Sequence, residues 1–202
     1  IYTPTHTLSL HALFRSVNLL REGEQIAMST RAGEFVTLSD VVDEVGVDAT
    51  RYFFVMRRSD SHLDFDLELA KKASTDNPVF YVQYAHARIC SILSEAAERN
   101  VPDPSVDDLD PEIFGSPEEK KLVTTLSAFS DELRKASEEL APHMLVNYVH
   151  QLAGDFHSFY NAHRILGENR DVEGARLLIA RAVKQVIAEN LKILGISAPE
   201  RM

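Results

Sequence analysis

From Asn77 to the end of the chain, apolar residues recur at the 3.6-residue spacing of helices, and this restricts the fold more than any other feature. Asn77-Pro78 reads as a cap followed by proline at the first helical position, where a missing N–H costs nothing. The helix it opens carries Val82, Ala85, Ile89, Ile92, Leu93 and Ala96 on one face. Ser116-Pro117-Glu118-Glu119 is a capping-box start, and the helix behind it is expected to run to about Leu140. Pro142 begins another, with a stripe of Leu145, Tyr148, Val149, Leu152, Phe156, Phe159 and Tyr160. Asp171 is the expected cap of the last, which lines up Ile179, Ala182, Val183, Val186, Ile187, Leu191 and Leu194 and stops at Gly195. Four long amphipathic helices cannot bury their stripes singly, so the fold class is mainly α, a helical bundle.

In front of the bundle the pattern is mixed. Residues 1–14 give weak signals. Val17-Asn18-Leu19-Leu20 and Gln25-Ile26-Ala27-Met28 flank a polar Arg21-Glu22-Gly23-Glu24 turn and predict a small hairpin. Phe35-Val36-Thr37 suggests a further extended piece. Ser39 is the expected cap of a short helix ended by Gly46, and Asp48 of a second from Ala49 to about Arg58. Ser61 to Leu69 reads as a connector whose Asp64, Asp66 and Glu68 are solvated. Asn100 to Gly115 is a Pro- and Asp-rich loop.

Composition bears on partners and compartment. No apolar run approaches the ~20 residues of a membrane span, and no secretory leader pattern is present. The single cysteine, Cys90, cannot form an internal disulfide and reads as a small buried hydrophobe, which fits a reducing cytoplasm. A formal charge of −10 argues against non-specific polyanion binding, DNA included. The acidity is local: residues 101–140 hold eleven acids and four bases, residues 141–202 six acids and seven bases. A selective RNA surface is therefore compatible with the charge.

Two constellations could carry chemistry. Met28-Ser29-Thr30-Arg31-Ala32-Gly33 combines small residues, two hydroxyl donors and a fixed cation, a composition suited to phosphates, although such a loop is commonly an ordinary turn. Tyr81, Tyr84 and Arg88 fall at i, i+3 and i+7 on a helical face distinct from the apolar one. They either cover the bundle edge or form a surface on which unpaired bases stack. His143, His150 and His157 repeat every seven residues, ~10 Å apart along a helix, which is too far to share a metal; they read as surface or interface histidines. Phe159 and Tyr160 read as core. No CxxC, HExxH, GxSxG or P-loop pattern occurs, and no metal site is expected.

Three strings, in order, resemble a known family. Ala27-Met28-Ser29-Thr30-Arg31-Ala32-Gly33, followed by Leu38-Ser39-Asp40-Val41-Val42-Asp43-Glu44-Val45-Gly46, is similar to the KMSKS loop of class I aminoacyl-tRNA synthetases in its arginyl form. Ala27 and Thr30 stand where the motif has lysines. Asn77-Pro78-Val79-Phe80-Tyr81-Val82-Gln83-Tyr84-Ala85-His86-Ala87-Arg88 resembles the opening of the arginyl enzymes' anticodon-binding domain. The helices from Ala141 and the ending Leu194-Gly195-Ile196-Ser197-Ala198-Pro199-Glu200-Arg201-Met202 resemble the helical module named DALR.

The resemblance implies the C-terminal part of a cytoplasmic arginine-tRNA ligase. Residues 1–36 would be the edge of the class I catalytic domain, a small α/β remnant. Residues 37–76 would be a helical stem-contact or connector region, and residues 77–202 the anticodon-binding bundle. Met28, Ser29, Thr30 and Arg31 would bind ATP, the Mg-bound cofactor of the parent enzyme, and Tyr81, Tyr84, Arg88 and Met202 would touch the anticodon loop. The implied partners are tRNA(Arg) and the parent's N-terminal and catalytic domains. The HIGH signature and the arginine pocket do not occur in this sequence, so the chain alone is expected to be inactive. Two rival readings are a helical protein-interaction module without an RNA role and the same domain from another class I enzyme, such as a cysteinyl synthetase.

Overall fold

A computed structural model describes residues 17–26, 36–58, 60–102, 105 and 113–202. The hairpin is present: β1 (Val17–Arg21) pairs antiparallel with β2 (Glu24–Gln25), with Leu20 opposite Gln25. Gly23 takes φ 82° in the turn, a conformation glycine adopts without penalty. On its other edge β1 pairs in parallel with β3 (Leu63–Asp66), so part of the expected connector is a strand. Leu63 and Phe65 face inward, and Phe65 packs against Phe53 and Phe54 at ring distances of 5.2 and 5.6 Å. The three acids of this stretch have defined partners. Asp64 accepts from Asn18, Asp66 caps α3 (Leu67–Lys71) by accepting from the Glu68 and Leu69 amides, and Glu68 pairs with Lys71.

A parallel pairing requires a crossover, supplied by α1 (Leu38–Val45) and α2 (Val47–Val55). Two caps differ from those expected. Thr37, not Ser39, caps α1: its hydroxyl accepts from the Asp40 amide, and the Asp40 carboxylate accepts from the Thr37 amide. Gly46 at φ 86° both ends α1 and begins α2, which puts Asp48 inside the first turn. Val36 and Thr37 form no strand, and Phe35 lies outside the described residues.

The bundle consists of α4 (Pro78–Glu98), α5 (Pro117–Ser127), α6 (Phe129–Glu138), α7 (His143–Ala162) and α8 (Arg170–Ile193). Asn77 caps α4 as expected, and its amide also donates to the Ala70 and Lys72 carbonyls, which fixes the helix to α3. The Ser116 capping box forms. The helix behind it is two helices, broken at Ala128, where the Thr124 and Ser127 hydroxyls bond to carbonyls of the preceding turn and compete with the helical ladder. Asn169, not Asp171, caps α8.

α7 is the central helix, packed by α4, α5, α6 and α8. Phe156, Phe159, Leu152, Ile187, Leu191, Val82 and Ile89 are sealed in one apolar core that continues through Tyr52 and Phe65 into the sheet region. Each such side chain contributes about 1.5–3 kcal/mol by burial. Phe159 is core as expected. Tyr160 is not: it is 38% exposed, because one residue beyond Phe159 the helix has turned its face outward. Among the described residues, no helix is long and apolar enough to cross a membrane.

Candidate nucleic-acid interface

Capping by Asn77 sets the rotational phase of α4. That phase turns Val82, Ala85 and Ile89 to the core and leaves Tyr81, Tyr84 and Arg88 half-buried against the outer side of α7. The three expected residues on α4 lie on one surface. Arg88 donates from Nη2 to the Tyr84 hydroxyl at 2.9 Å, and its guanidinium carbon lies 4.6 Å from the centre of the Tyr84 ring. From α7, Tyr160 presents its ring to the same guanidinium at 4.5 Å. Phe80 stacks on Tyr84 at 5.9 Å with ring planes 13° apart.

His157 ties these groups together. Its ring is 4.6 Å from that of Tyr81 and 6.0 Å from that of Tyr84. Arg88 donates from Nη1 to His157 Nδ1 at 3.3 Å, so the imidazole carries its proton on Nε2, 3.4 Å from the Tyr81 carbonyl it can donate to. Burial, followed by the charge of Arg88, lowers the affinity of this imidazole for a second proton despite the opposing pull of the Tyr81 carbonyl. Burial also pushes up the Tyr81 hydroxyl, with Asp155 adding to the effect, so Tyr81 stays a neutral donor. His150, exposed, closes the row against Tyr81 at 5.2 Å.

His157 departs from the expected surface histidine, being only 8% exposed. The periodicity of the core stripe does not single out His157 and Tyr160 for this row, but their spacing does: His150, His157 and Tyr160 lie at i, i+7 and i+10 and share one face of α7. His143, at the start of α7, makes none of these contacts. Fixed π faces and a guanidinium held between them suit unpaired bases, which stack on any aromatic face, while the cation answers their phosphates.

Met202 is 54% exposed and ends a segment clamped from two sides. Asp48 accepts from the Ser197 amide at 3.1 Å and also binds the Ser197 hydroxyl, and Gln83 bridges Asp48 and the Ser197 carbonyl. Arg51 donates to the Leu194 carbonyl, and His86 Nδ1 lies 2.8 Å from the Pro199 carbonyl. Glu200 and Arg201 then line a cleft with Ser91, Ser94 and Glu98 of α4. The final residues are thus carried to the same helix that bears Tyr84 and Arg88. Cys90, free and only partly buried, lines that cleft too, and burial pushes its thiol up.

The four loop residues Met28, Ser29, Thr30 and Arg31 lie outside the described residues. Among the described residues, no three His, Cys, Asp or Glu side chains converge as metal ligands.

Comparison with known proteins bears on the family and the fold. The family model described as the DALR anticodon binding domain matches residues 82–202. The arginine-tRNA ligase of Citrifermentans bemidjiense is 53% identical over 191 residues, covering 94% of this chain and 34% of that protein. The arginine-tRNA ligase of Desulforamulus reducens is 50% identical over 190 residues, again covering 94% and 34%. The chain spans about a third of the length of these curated relatives. The solved Thermus thermophilus arginyl-tRNA synthetase superposes with a TM-score of 0.72 at 27% identity, covering 91% of this chain and 34% of that one. Sequence and fold therefore agree, and the chain belongs to the DALR anticodon binding domain family.

Proposed function

We propose that this chain is the tRNA-recognising portion of an arginine-tRNA ligase and that its α4–α7 surface grips the anticodon loop of tRNA(Arg). The observation that carries the reading is the Arg88 guanidinium held between Tyr84 and Tyr160, a seat for unstacked bases that lies wholly within the matched family region. Tyr81, Tyr84, Arg88 and Met202 are the assigned contacts.

Residues 77–202 form the anticodon-binding unit. Residues 37–76 brace the tRNA stem or the catalytic domain, and residues 1–36 belong to the edge of that domain. Activation of arginine with Mg-bound ATP and its transfer to tRNA are proposed for the whole ligase, with Met28 to Arg31 closing over ATP. The cytoplasm is the compartment this function implies.

The test is binding of labelled tRNA(Arg) and of unrelated tRNA by the chain across a salt series. Selective retention of tRNA(Arg) is expected, and Tyr84→Ala should weaken it by about 1–3 kcal/mol. Equal retention of both RNAs would overturn the reading.

A further inference from the structure

Beyond the aromatic row, α4 and the loop joining α7 to α8 enclose a cleft of about 400 Å³, within the range of small-ligand sites. Its walls include Arg99 and Glu95 of α4, Tyr160 at the end of α7, and Arg164 and Leu166 of the loop, with Ile92 toward the core. We propose that this cleft seats a further unpaired nucleotide of the bound RNA, its phosphate between Arg99 and Arg164 and its base against Tyr160. The assignment rests on the proposed anticodon grip and adds to it a site none of the four assigned contacts reaches.

Continuity is the first support. Tyr160 belongs to both places: Arg88 covers its ring at 4.5 Å, and the same residue lines the cleft. Arg88 and Arg99 are eleven residues apart on one helix, about 16 Å along its axis, a span that a short run of nucleotides covers.

Charge is the second. In a chain of net charge −10, this rim holds two guanidiniums and one carboxylate. Arg99 has a local explanation, since it caps α4 and pairs with Glu95. Arg164 has none: among the described residues its side chain makes no hydrogen bond or ion pair, and it is exposed. A guanidinium with free donors beside a tyrosine matches the forked recognition that phosphates receive from arginine.

Preorganisation is the third. Arg176 donates from Nη1 to the Arg164 carbonyl at 2.7 Å and from Nε to Glu119 at 2.9 Å. Glu119 is buried and in turn accepts from the Ser116 amide. At the other end of the loop, Gly167, at φ 88°, donates its amide to Glu173 at 2.8 Å. Burying an ion pair is expensive, and this one holds the backbone of the residue that offers the unpaired cation.

The test uses the full chain and a fluorescein-labelled anticodon stem–loop of tRNA(Arg), read by anisotropy across a KCl series. Arg164→Gln should weaken binding about five- to tenfold and lower the slope of log K against log salt by about 0.7, the loss of one single-strand phosphate contact. Arg164→Lys should keep the slope and lose part of the affinity, because the charge remains and the fork does not. Glu95→Gln should tighten binding by releasing Arg99. Circular dichroism of each variant checks that the fold is retained.

If Arg164→Gln leaves affinity and slope unchanged while Tyr84→Ala weakens binding, the cleft assignment is overturned and the anticodon grip stands. If the unaltered chain fails to bind the stem–loop, both fall. Arg164-dependent binding of free AMP that leaves the stem–loop in place would make the cleft a mononucleotide site and overturn the RNA assignment.

Discussion

Arg88 donates to His157 at 3.3 Å across the α4–α7 seam, so the orientation of the cation at the centre of the aromatic row depends on an imidazole that stays neutral. Protonating Nδ1 would put a donor and a second positive charge against the guanidinium. The groups facing this imidazole are Arg88, Tyr81 and Tyr84 from α4, with Phe156 beside it on α7.

Stability and RNA affinity should both fall as pH drops through the ordinary histidine range. Burial holds the His157 pKa below its unfolded value, and burial lowers His150 as well. In that window the unfolded chain binds more protons than the folded one, so stability rises with pH and its loss levels off below the folded pKa. Imidazole NMR titration alongside urea unfolding at several pH values checks this, and a flat profile would contradict it.

Tyr84→Phe should retain most RNA affinity, whereas Tyr84→Ala should lose about 1–3 kcal/mol, since stacking needs the ring and not the hydroxyl. Losing the half-exposed bond from Arg88 should cost the fold about 1 kcal/mol or less. Stem–loop anisotropy and thermal unfolding on the same samples separate the two effects.

Arg176→Ala should destabilise the chain by about 3 kcal/mol, because it leaves Glu119, with a side chain 4% exposed, without its counter-charge. Burial alone would raise this carboxyl, but the Ser116 amide and Arg176 outweigh it and hold the carboxyl below the usual range. The stabilisation is therefore present at neutral pH and disappears only as pH falls through and below that range. Urea unfolding of the variant measures the loss.

Gly195→Ala should cost about 1–2 kcal/mol and loosen the C-terminal segment. Gly195 has φ 69°, and an added Cβ would lie 2.5 Å from Arg51 Nη2, displacing the group that holds the Leu194 carbonyl. Faster carboxypeptidase trimming of the variant, with the bundle intact by circular dichroism, is the expected readout.

Local rules were enough for much of this protein. The hairpin, the starts of α4 and α5 and the buried stripes of four helices follow from turn residues, proline after a capping residue, and the helical period. The face bearing Tyr81, Tyr84 and Arg88 was legible because its spacing is internal to one helix. The cap of α1 was harder: Thr37 and Ser39 are both competent, and only reciprocal bonding with Asp40 distinguishes them.

What the sequence by itself determined was which segments are helical and which side of each is apolar, since both depend on neighbours within a turn or two. The tertiary structure alone decided what lies opposite. It recruited Asp48 to Ser197 across 149 positions, made a strand of the Leu63–Asp66 connector by giving it β1 as a partner, and set His157 and Tyr160 of α7 around Arg88 of α4. Contacts between helices depend on how each is rotated and seated in the shared core, and helical periodicity in one segment carries no record of its neighbour's phase.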